Sequence, residues 1–373
     1  MRKDCEIITF HTPINYGAVL QATALFSYVS SVYQNTVVID FDTKTLRSKY
    51  PLIRKCKTIS DCFLTAIDLF YLIPNLIKRL QFKKFLKQNI VFTKKYKTFE
   101  SIKKEMFDTN FLITGSDQVF RPNREYKERN VFYLDLSTNA KKISYAASLG
   151  GVDSIDGELE KEICGYLSSF SSISIREKSG VNTLSRLGFS STLVLDPVFL
   201  LNREQWENIL KNNKKPKRKN YILYYALIDN PIYHKYVECL AKKLKKRVLV
   251  IGNIKFKPFK KCEFLRTCGP TDFLTLVNGA DYVFTSSFHG IAFSIIFKKQ
   301  FYSLEEDIVL KNRAEELMKI LGIPYYGFSD FLSFFKTGIT EYIDYDLVYS
   351  NLKKEISKSK SFLNEALGVE GHE

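Results

Sequence analysis

The chain has 373 residues, is 45% hydrophobic and 26% charged, and carries a formal net charge of +16. This balance is typical of a soluble globular protein, and the length favours two domains over one core. The longest apolar stretch, residues 62–77, contains Asp68 and Pro74 and is too short to cross a bilayer. No signal peptide is recognisable after Met1, so we expect a cytoplasmic protein.

The first part of the chain alternates short apolar strands with helices. We predict strands at residues 5–10, 36–41, 111–114, 132–136, 142–147, 172–175 and 192–195. Helices are predicted at residues 17–33 and 159–170, with another before residue 192, and a basic helical excursion is predicted near residues 44–105. Short, continuously apolar strands that alternate with helices predict a parallel sheet covered on both faces.

A second alternating series follows a polar, lysine-rich segment at residues 211–220, which we predict to be a linker. Its strands are expected at residues 221–227, 248–251, 282–285 and 301–304, each followed by a helix. The predicted fold is therefore α/β, with two Rossmann-like domains facing a cleft. The N-terminal domain takes residues 1–210 and the C-terminal domain residues 221–345, and a final helix at 346–373 packs back on the first domain.

Cysteine spacing predicts neither a zinc site nor any other metal site. The seven cysteines are scattered, and no two have the close spacing of zinc ligands. Because the count is odd and no signal peptide is apparent, we expect reduced thiols.

The basic charge suits nucleic acid, an anionic membrane or acidic small molecules, although a solvated basic surface explains any single cluster equally well. No motif that reads DNA or RNA is present, so we predict no nucleic-acid partner. Residues 70–87 mix apolar and basic side chains. This segment could lie on an anionic bilayer, but an amphipathic core helix with a basic outer face is favoured.

The most informative polar cluster contains His289, between a strand-like run at 281–284 and a helix-like run at 291–297. Open α/β sheets bind ligands at the carboxyl ends of their strands, and helix starts attract anions. The chain has four histidines, so this position favours function over a satisfied core histidine. The cluster predicted to bind substrate around it is Ser286, Ser287 and Gly290.

Two further clusters follow predicted strands. Asn15, Tyr16 and Gly17 precede a helix and could hold an anion, although a simple turn explains them better. Ser116, Asp117 and Gln118 follow residues 111–114. Asp117 could accept a proton from a hydroxyl group, and the neighbouring amide exceeds what a helix cap requires.

Basic residues complete the candidate site. Arg176, after the strand at 172–175, could grip a carboxylate or phosphate with two prongs, or form an exposed pair with Glu177. Because parallel strands end at one edge of a sheet, these groups converge on a small polyanion and a hydroxylated acceptor. Dinucleotide and phosphate-loop fingerprints are absent from the sequence.

Several short motifs, in this order, resemble the polysaccharide pyruvyl transferase family. The resemblance covers roughly residues 5–325, whereas the last 50 residues and the basic excursion carry no such motif. The motifs are Asn15-Tyr16-Gly17-Ala18-Val19-Leu20-Gln21, Gly115-Ser116-Asp117-Gln118-Val119-Phe120, Ser144-Tyr145-Ala146-Ala147-Ser148, Ser174-Ile175-Arg176-Glu177, Asp196-Pro197 and Ser286-Ser287-Phe288-His289-Gly290.

The resemblance implies a fold of glycosyltransferase type B and transfer of pyruvyl from phosphoenolpyruvate to two hydroxyls of a sugar as a cyclic ketal. It implies bacterial capsule, exopolysaccharide or cell-wall glycan precursors, lipid-linked acceptors and peripheral contact with the inner face of the cytoplasmic membrane. The family's basic residues fall on Arg176 and, in the C-terminal half, Arg313. Phe120 stands where many relatives carry tryptophan, which we expect to alter acceptor stacking.

The implied chemistry assigns a role to each candidate. His289 acts as general acid and base, Asp117 orients or deprotonates an acceptor hydroxyl, and Arg176, Arg313 and Lys178 bind the anionic donor. No cofactor or metal is expected. A nucleotide-sugar glycosyltransferase of the same fold is the alternative, and a nucleic-acid or anionic-membrane binding protein is the third interpretation.

Overall fold

The computed structural model describes the chain except for residues 1–2, 13, 49–50, 57, 123–126, 153, 156, 212–217, 253, 255, 305–307, 324–341 and 370–373. It divides into two compact units. The first unit comprises Met1–Tyr50, Leu86–Leu201 and Lys354–Glu373, and the second unit comprises Pro51–Phe85 and Asn202–Lys353. Most of the predicted linker at 211–220 lies outside the described residues.

Within the described part of the first unit, seven parallel strands form one sheet in the order β3-β2-β1-β5-β7-β8-β9. A separate parallel pair is formed by β4 and β6. The strands are β1 Lys3–Ile8, β2 Thr36–Phe41, β3 Phe92–Tyr96, β4 Met106–Phe107, β5 Thr109–Thr114, β6 Ser137–Thr138, β7 Lys141–Ala147, β8 Phe170–Ile175 and β9 Thr192–Leu193.

Helices cover both faces of this sheet, as its apolar strands require. Along β1, Ile7 contributes to one buried cluster and Ile8 to another, because successive side chains of a strand point to opposite faces. Two 3-10 helices span Lys127–Tyr133 and Pro197–Leu200. The α-helices up to residue 186 are α1 Tyr16–Val32, α2 Lys44–Ser48, α3 Ile59–Phe70, α4 Leu72–Asn89, α5 Phe99–Lys103, α6 Gly157–Leu167 and α7 Lys178–Arg186, of which α3 and most of α4 belong to the second unit.

The second unit has a five-stranded parallel sheet in the order β12-β11-β10-β13-β14, counted over its described residues. Its strands are β10 Tyr221–Ala226, β11 Arg247–Gly252, β12 Cys262–Phe264, β13 Tyr282–Thr285 and β14 Gln300–Ser303. The accompanying helices are α8 Arg203–Leu210, α9 Pro231–Leu244, α10 Pro270–Gly279, α11 Phe288–Ile296 and α12 Ile308–Leu321. The last helix, α13 Tyr345–Ala366, begins in the second unit and belongs to the first unit from Lys354 onward.

Two secondary-structure predictions are wrong in detail. Residues 132–136 were expected to form a strand, but the chain forms the 3-10 helix Lys127–Tyr133, whose buried Phe132 and Tyr133 pack into the core. An apolar run of this length does not distinguish the two structures. The basic excursion at 44–105 is not wholly helical, because β3 adds an edge strand to the first sheet beside β2.

The prediction of reduced thiols throughout is also wrong for one pair. Cys56 and Cys62 form a disulfide with Cα atoms 4.7 Å apart. The other five cysteines are free. Among the described residues, no helix combines the length and apolar character needed to span a membrane.

Candidate functional site

Each sheet has one position where its strand order reverses. In the first sheet the chain runs from β1 outward to β2 and β3, then resumes on the other side of β1 with β5. In the second sheet the same reversal separates β10 from β13. Ligands of open α/β sheets bind beside the carboxyl ends of the strands at such a reversal. We call these two places the first edge and the second edge.

At the first edge, Asn15 begins α1. Its side-chain oxygen accepts hydrogen bonds from the backbone N–H groups of Gly17, at 2.9 Å, and Ala18, at 3.4 Å. Both bonds are those of a helix N-cap, and Tyr16 and Gly17 are buried in the first turn. Asn15 therefore has the geometry of a helix-capping turn, the interpretation that the sequence favoured over an anion site.

A hydrogen-bonded chain joins β1, α1 and β5 below this turn. The Gln21 amide donates to the Thr9 hydroxyl at 2.9 Å, and that hydroxyl donates to the Ser116 carbonyl at 2.9 Å. All three residues are buried. Gln21 belongs to the first sequence motif, which gives no role to this residue. Its position near the start of α1 lets it link the ends of β1 and β5 through Thr9 and Ser116.

Arg176 lies at the end of β8 among three carboxylates. One terminal nitrogen donates to Asp196 and to the Ser116 hydroxyl, both at 3.0 Å. The other terminal nitrogen lies 3.5 Å from Asp117, and Nε lies 3.7 Å from Glu177. The side chain is only 2% exposed. Arg176 is therefore paired and buried, whereas the sequence left open a two-pronged grip on an anion or an exposed pair with Glu177.

Electrostatics favour the charged form of this arginine. Burial alone would lower the pKa of Arg176, but Asp196, Asp117 and Glu177 outweigh it and hold that pKa above its ordinary value. Three carboxylates around one guanidinium leave the cluster with an excess of negative charge. Such a cluster repels a polyanion and suits an uncharged, hydroxylated ligand.

Asp117 is the acid of this cluster that reaches solvent, since its side chain is 25% exposed whereas that of Asp196 is buried. Its backbone has φ 81°, in the left-handed region, and its carboxylate accepts from the Gln118 N–H at 2.8 Å. A non-glycine residue in this region costs about 1 to 3 kcal/mol, and such strain concentrates at functional sites. Gln118 also accepts from Arg121, while Lys178 is exposed at the start of α7.

The sequence reasoning missed several polar partners at this edge. Glu177 accepts from the Leu149 N–H at 2.9 Å, and buried His11 lies 3.2 Å from Asp40. His11 directly follows the first strand-like run, so the strand-end rule that selected His289 would also have selected His11.

At the second edge, two buried serines and a glycine shape the turn into α11. The Ser286 hydroxyl accepts from the Leu227 N–H at 3.1 Å, which joins the ends of β10 and β13. Ser287 is the N-cap residue of α11, yet its hydroxyl makes no capping hydrogen bond. A Cβ atom on Gly290 would lie 2.2 Å from Thr285 Oγ1, so this close approach of helix to strand requires glycine.

The Phe288 ring contacts both His289 and Arg313. The guanidinium carbon of Arg313, on α12, lies 4.1 Å from the centre of the Phe288 ring, within cation–π range. The His289 ring meets the same phenyl ring edge-on, with centroids 5.5 Å apart. His289 is half-buried in the first turn of α11. The second edge thus combines an imidazole, a guanidinium and the start of a helix, all of which favour an anionic ligand.

A model of the family described as polysaccharide pyruvyl transferase matches residues 15–308. The chain therefore belongs to the polysaccharide pyruvyl transferase family. This match includes the strand ends of both edges but stops before Arg313, and it confirms the resemblance drawn from the motifs. No curated protein sequence matches the chain significantly.

Solved structures confirm the fold of this pyruvyl transferase family member. The UDP-N-acetylglucosamine 2-epimerase from Rickettsia bellii aligns with a TM-score of 0.51 at 11% identity, covering 99% of this chain and 98% of the epimerase. The UDP-GlcNAc 2-epimerase from Methanocaldococcus jannaschii gives 0.52 at 11% identity, covering 97% and 99%. At this identity the likeness shows the α/β fold of glycosyltransferase type B alone.

Phe120 does not take part in acceptor stacking. It is buried and stacks on Tyr133, with ring centroids 4.7 Å apart, and it meets Phe170 edge-on. Its difference from the tryptophan of relatives therefore concerns core packing. Among the described residues, no group of three or more His, Cys, Asp or Glu side chains could hold a metal ion.

Proposed function

We propose that this enzyme transfers the pyruvyl group of phosphoenolpyruvate to two hydroxyls of one sugar, forming a cyclic ketal and releasing phosphate. One observation carries the proposal: His289 and Arg313 both contact Phe288 at the second edge, in a member of the pyruvyl transferase family. The acceptor is a sugar of a bacterial capsular, exopolysaccharide or cell-wall glycan precursor.

The donor is assigned to the second unit. Phosphoenolpyruvate carries a carboxylate and a phosphate, and Arg313 presents a guanidinium that can hold either group in bidentate fashion. The first turn of α11 adds backbone N–H groups and the positive end of the helix dipole. Ser287, whose hydroxyl makes no capping bond, is placed to donate to the same anion.

His289 is assigned to the proton transfers. Protonation of the donor methylene carbon gives a methyl group and an oxocarbenium-like centre at the adjacent carbon. The first sugar hydroxyl adds to that centre and loses its proton. The carbon–oxygen bond to phosphate then breaks, and the second hydroxyl adds and loses its proton, which closes the ketal. An imidazole can give the first proton and accept the next, because each ring nitrogen can donate or accept a hydrogen bond.

The acceptor is assigned to the first unit. Asp117 is the carboxylate that orients or deprotonates a sugar hydroxyl, supported by its exposure and strained backbone. Arg176 acts as a positioning residue, because its contacts with Asp196, Ser116 and Asp117 hold that carboxylate in place. This role replaces the donor clamp expected from the sequence.

The reaction as written changes no oxidation state, so it balances with phosphoenolpyruvate and the acceptor alone. It is tested by incubating the protein with phosphoenolpyruvate and lipid-linked galactosides, mannosides and glucosaminides. Mass spectrometry is expected to show one acceptor gaining pyruvate with loss of water, together with one phosphate released. Transfer of sugar from a nucleotide sugar, with phosphoenolpyruvate left intact, would instead establish a glycosyltransferase.

A further inference from the structure

Helices α3 and α4 of the second unit expose an apolar surface that the proposed chemistry does not use. Seven large apolar side chains on these consecutive helices are each between 40% and 79% exposed. Exposed apolar surface on this scale marks an interaction site in a soluble protein. We call it the α3–α4 surface, and its residues are Phe63, Leu69, Phe70, Ile73, Leu76, Ile77 and Leu80.

The α4 part of this surface is a helical stripe with a basic end. Residues 73, 76, 77 and 80 have the spacing of one helix face, and exposed Lys83 and Lys84 continue the same face. Phe82 and Phe85 are buried on another face of α4. The helix therefore already has a face for the core, and its second apolar stripe serves another purpose.

Contacts on the inner side fix the direction of this stripe. The Gln81 side-chain oxygen accepts from the Gly269 N–H at 3.2 Å. The Arg266 guanidinium lies 3.4 Å from the centre of the Tyr71 ring, at the junction of α3 and α4. On α3, Asp68 accepts from the Arg54 N–H at 3.0 Å. The outward side chains are thus presented by a fixed scaffold.

Charge identifies the occupant. The sequence of α4 contains five basic residues and no acidic residue, and the whole chain carries a net charge of +16. On α3, the two acidic residues are already engaged, Asp61 in the capping box of Thr58 and Asp68 with Arg54. Apolar side chains beside uncompensated lysines match the acyl chains and phosphates of an anionic bilayer.

We propose that the α3–α4 surface binds an anionic lipid bilayer, with its apolar side chains at the acyl boundary and Lys83 and Lys84 at the headgroup phosphates. In this arrangement α4 lies along the surface of the bilayer, with its apolar stripe facing the acyl chains. This binding is independent of phosphoenolpyruvate and of the chemistry at either edge.

The test is flotation of the full chain with vesicles of phosphatidylcholine alone or mixed with phosphatidylglycerol. We expect the protein to bind the mixed vesicles about tenfold more tightly than the neutral vesicles. Binding to the mixed vesicles should weaken as salt is added. The variant Lys83→Glu/Lys84→Glu is expected to weaken binding by about tenfold or more. The variant Ile73→Glu/Leu80→Glu is expected to weaken it by about a hundredfold, because it places carboxylates at the acyl boundary.

Two matched variants control for general effects of charge. Lys353→Glu/Lys354→Glu changes an adjacent exposed lysine pair on α13, and Met106→Glu/Ile232→Glu changes two exposed apolar residues outside α3 and α4. Both are expected to change vesicle binding only slightly. Equal losses in test and control variants would overturn the proposal. The absence of vesicle binding would also overturn it. If the only effect of Ile73→Glu/Leu80→Glu were to dissociate a dimer, the surface would be an interface between two copies of the chain, and the proposal would again be overturned.

Discussion

The two edges have the same topology and opposite chemistry. At the first edge, the buried guanidinium of Arg176 is surrounded by three carboxylates, those of Asp196, Asp117 and Glu177. At the second edge, His289 and Arg313 both contact the phenyl ring of Phe288, in the first turn of a helix. The reversal of strand order sets where a ligand binds, whereas the side chains set which ligand it is. The comparison assigns the anionic donor to the second edge and the hydroxylated acceptor to the first.

The largest effect is expected from His289→Ala. Loss of a general acid and base lowers the turnover number by about a hundredfold to ten-thousandfold. Steady-state release of phosphate from phosphoenolpyruvate with acceptor present measures it. The affinity for phosphoenolpyruvate should change little, because Arg313 and the helix start remain. Near-normal turnover in this variant would contradict the assignment of the proton transfers to His289 at the second edge.

The second prediction concerns Arg176→Met, which leaves Asp196, Asp117 and Glu177 without their shared cation. Removing one partner of a buried ion pair costs about 3 to 5 kcal/mol of unfolding free energy, measured by denaturant titration. Phosphoenolpyruvate binding to the remaining folded protein should be unchanged. A large loss of donor affinity with unchanged stability would show that Arg176 is the donor clamp after all.

Arg313→Met tests the opposite residue at the second edge. We expect phosphoenolpyruvate to bind about tenfold more weakly, because a charge-assisted hydrogen bond is lost. Because Arg313 is half-buried, the loss in unfolding free energy should be about 1 to 2 kcal/mol, that of a partly desolvated cation–π contact. The control is Arg313→Lys, which keeps the charge but loses the bidentate geometry and should bind with intermediate affinity. Equal affinity in all three proteins would exclude Arg313 from the donor site.

The smallest effect is expected from Asn15→Ala, which removes the N-cap of α1. It should lower the unfolding free energy by about 1 kcal/mol and leave the Michaelis constants unchanged. Asn15→Ser, which can still cap the helix, should restore most of the stability. A raised Michaelis constant in both variants would show that Asn15 binds substrate as well.

The positions of the two edges could be predicted from the sequence because each strand end has a local sequence pattern. An apolar run precedes the polar cluster that contains Ser116, and another precedes the cluster that contains His289. Parallel strands bring such strand ends to one edge of a sheet. The sequence predicts that Gly290 binds substrate, whereas its close contact with Thr285 is a packing role that only the structure shows.

The pairing of Arg176 could not be read in this way. Asp196 is 20 residues and Ser116 is 60 residues away in sequence. They meet Arg176 only because β8 lies next to β9 and two places from β5. The strand β3 was missed for a related reason, as it follows two helices in a basic segment and pairs with a distant strand, β2. Partners distant in sequence thus explain why Arg176 is buried and paired in the structure, which its local sequence does not indicate.

The most direct test of the donor assignment is calorimetric titration of phosphoenolpyruvate and of UDP-N-acetylglucosamine into the wild-type protein and the Arg313→Met and Arg176→Met variants. We predict that phosphoenolpyruvate binds the wild type and Arg176→Met alike and binds Arg313→Met more weakly. Binding of the nucleotide sugar without binding of phosphoenolpyruvate, or donor affinity lost only in Arg176→Met, would contradict the assignment of the donor to the second edge.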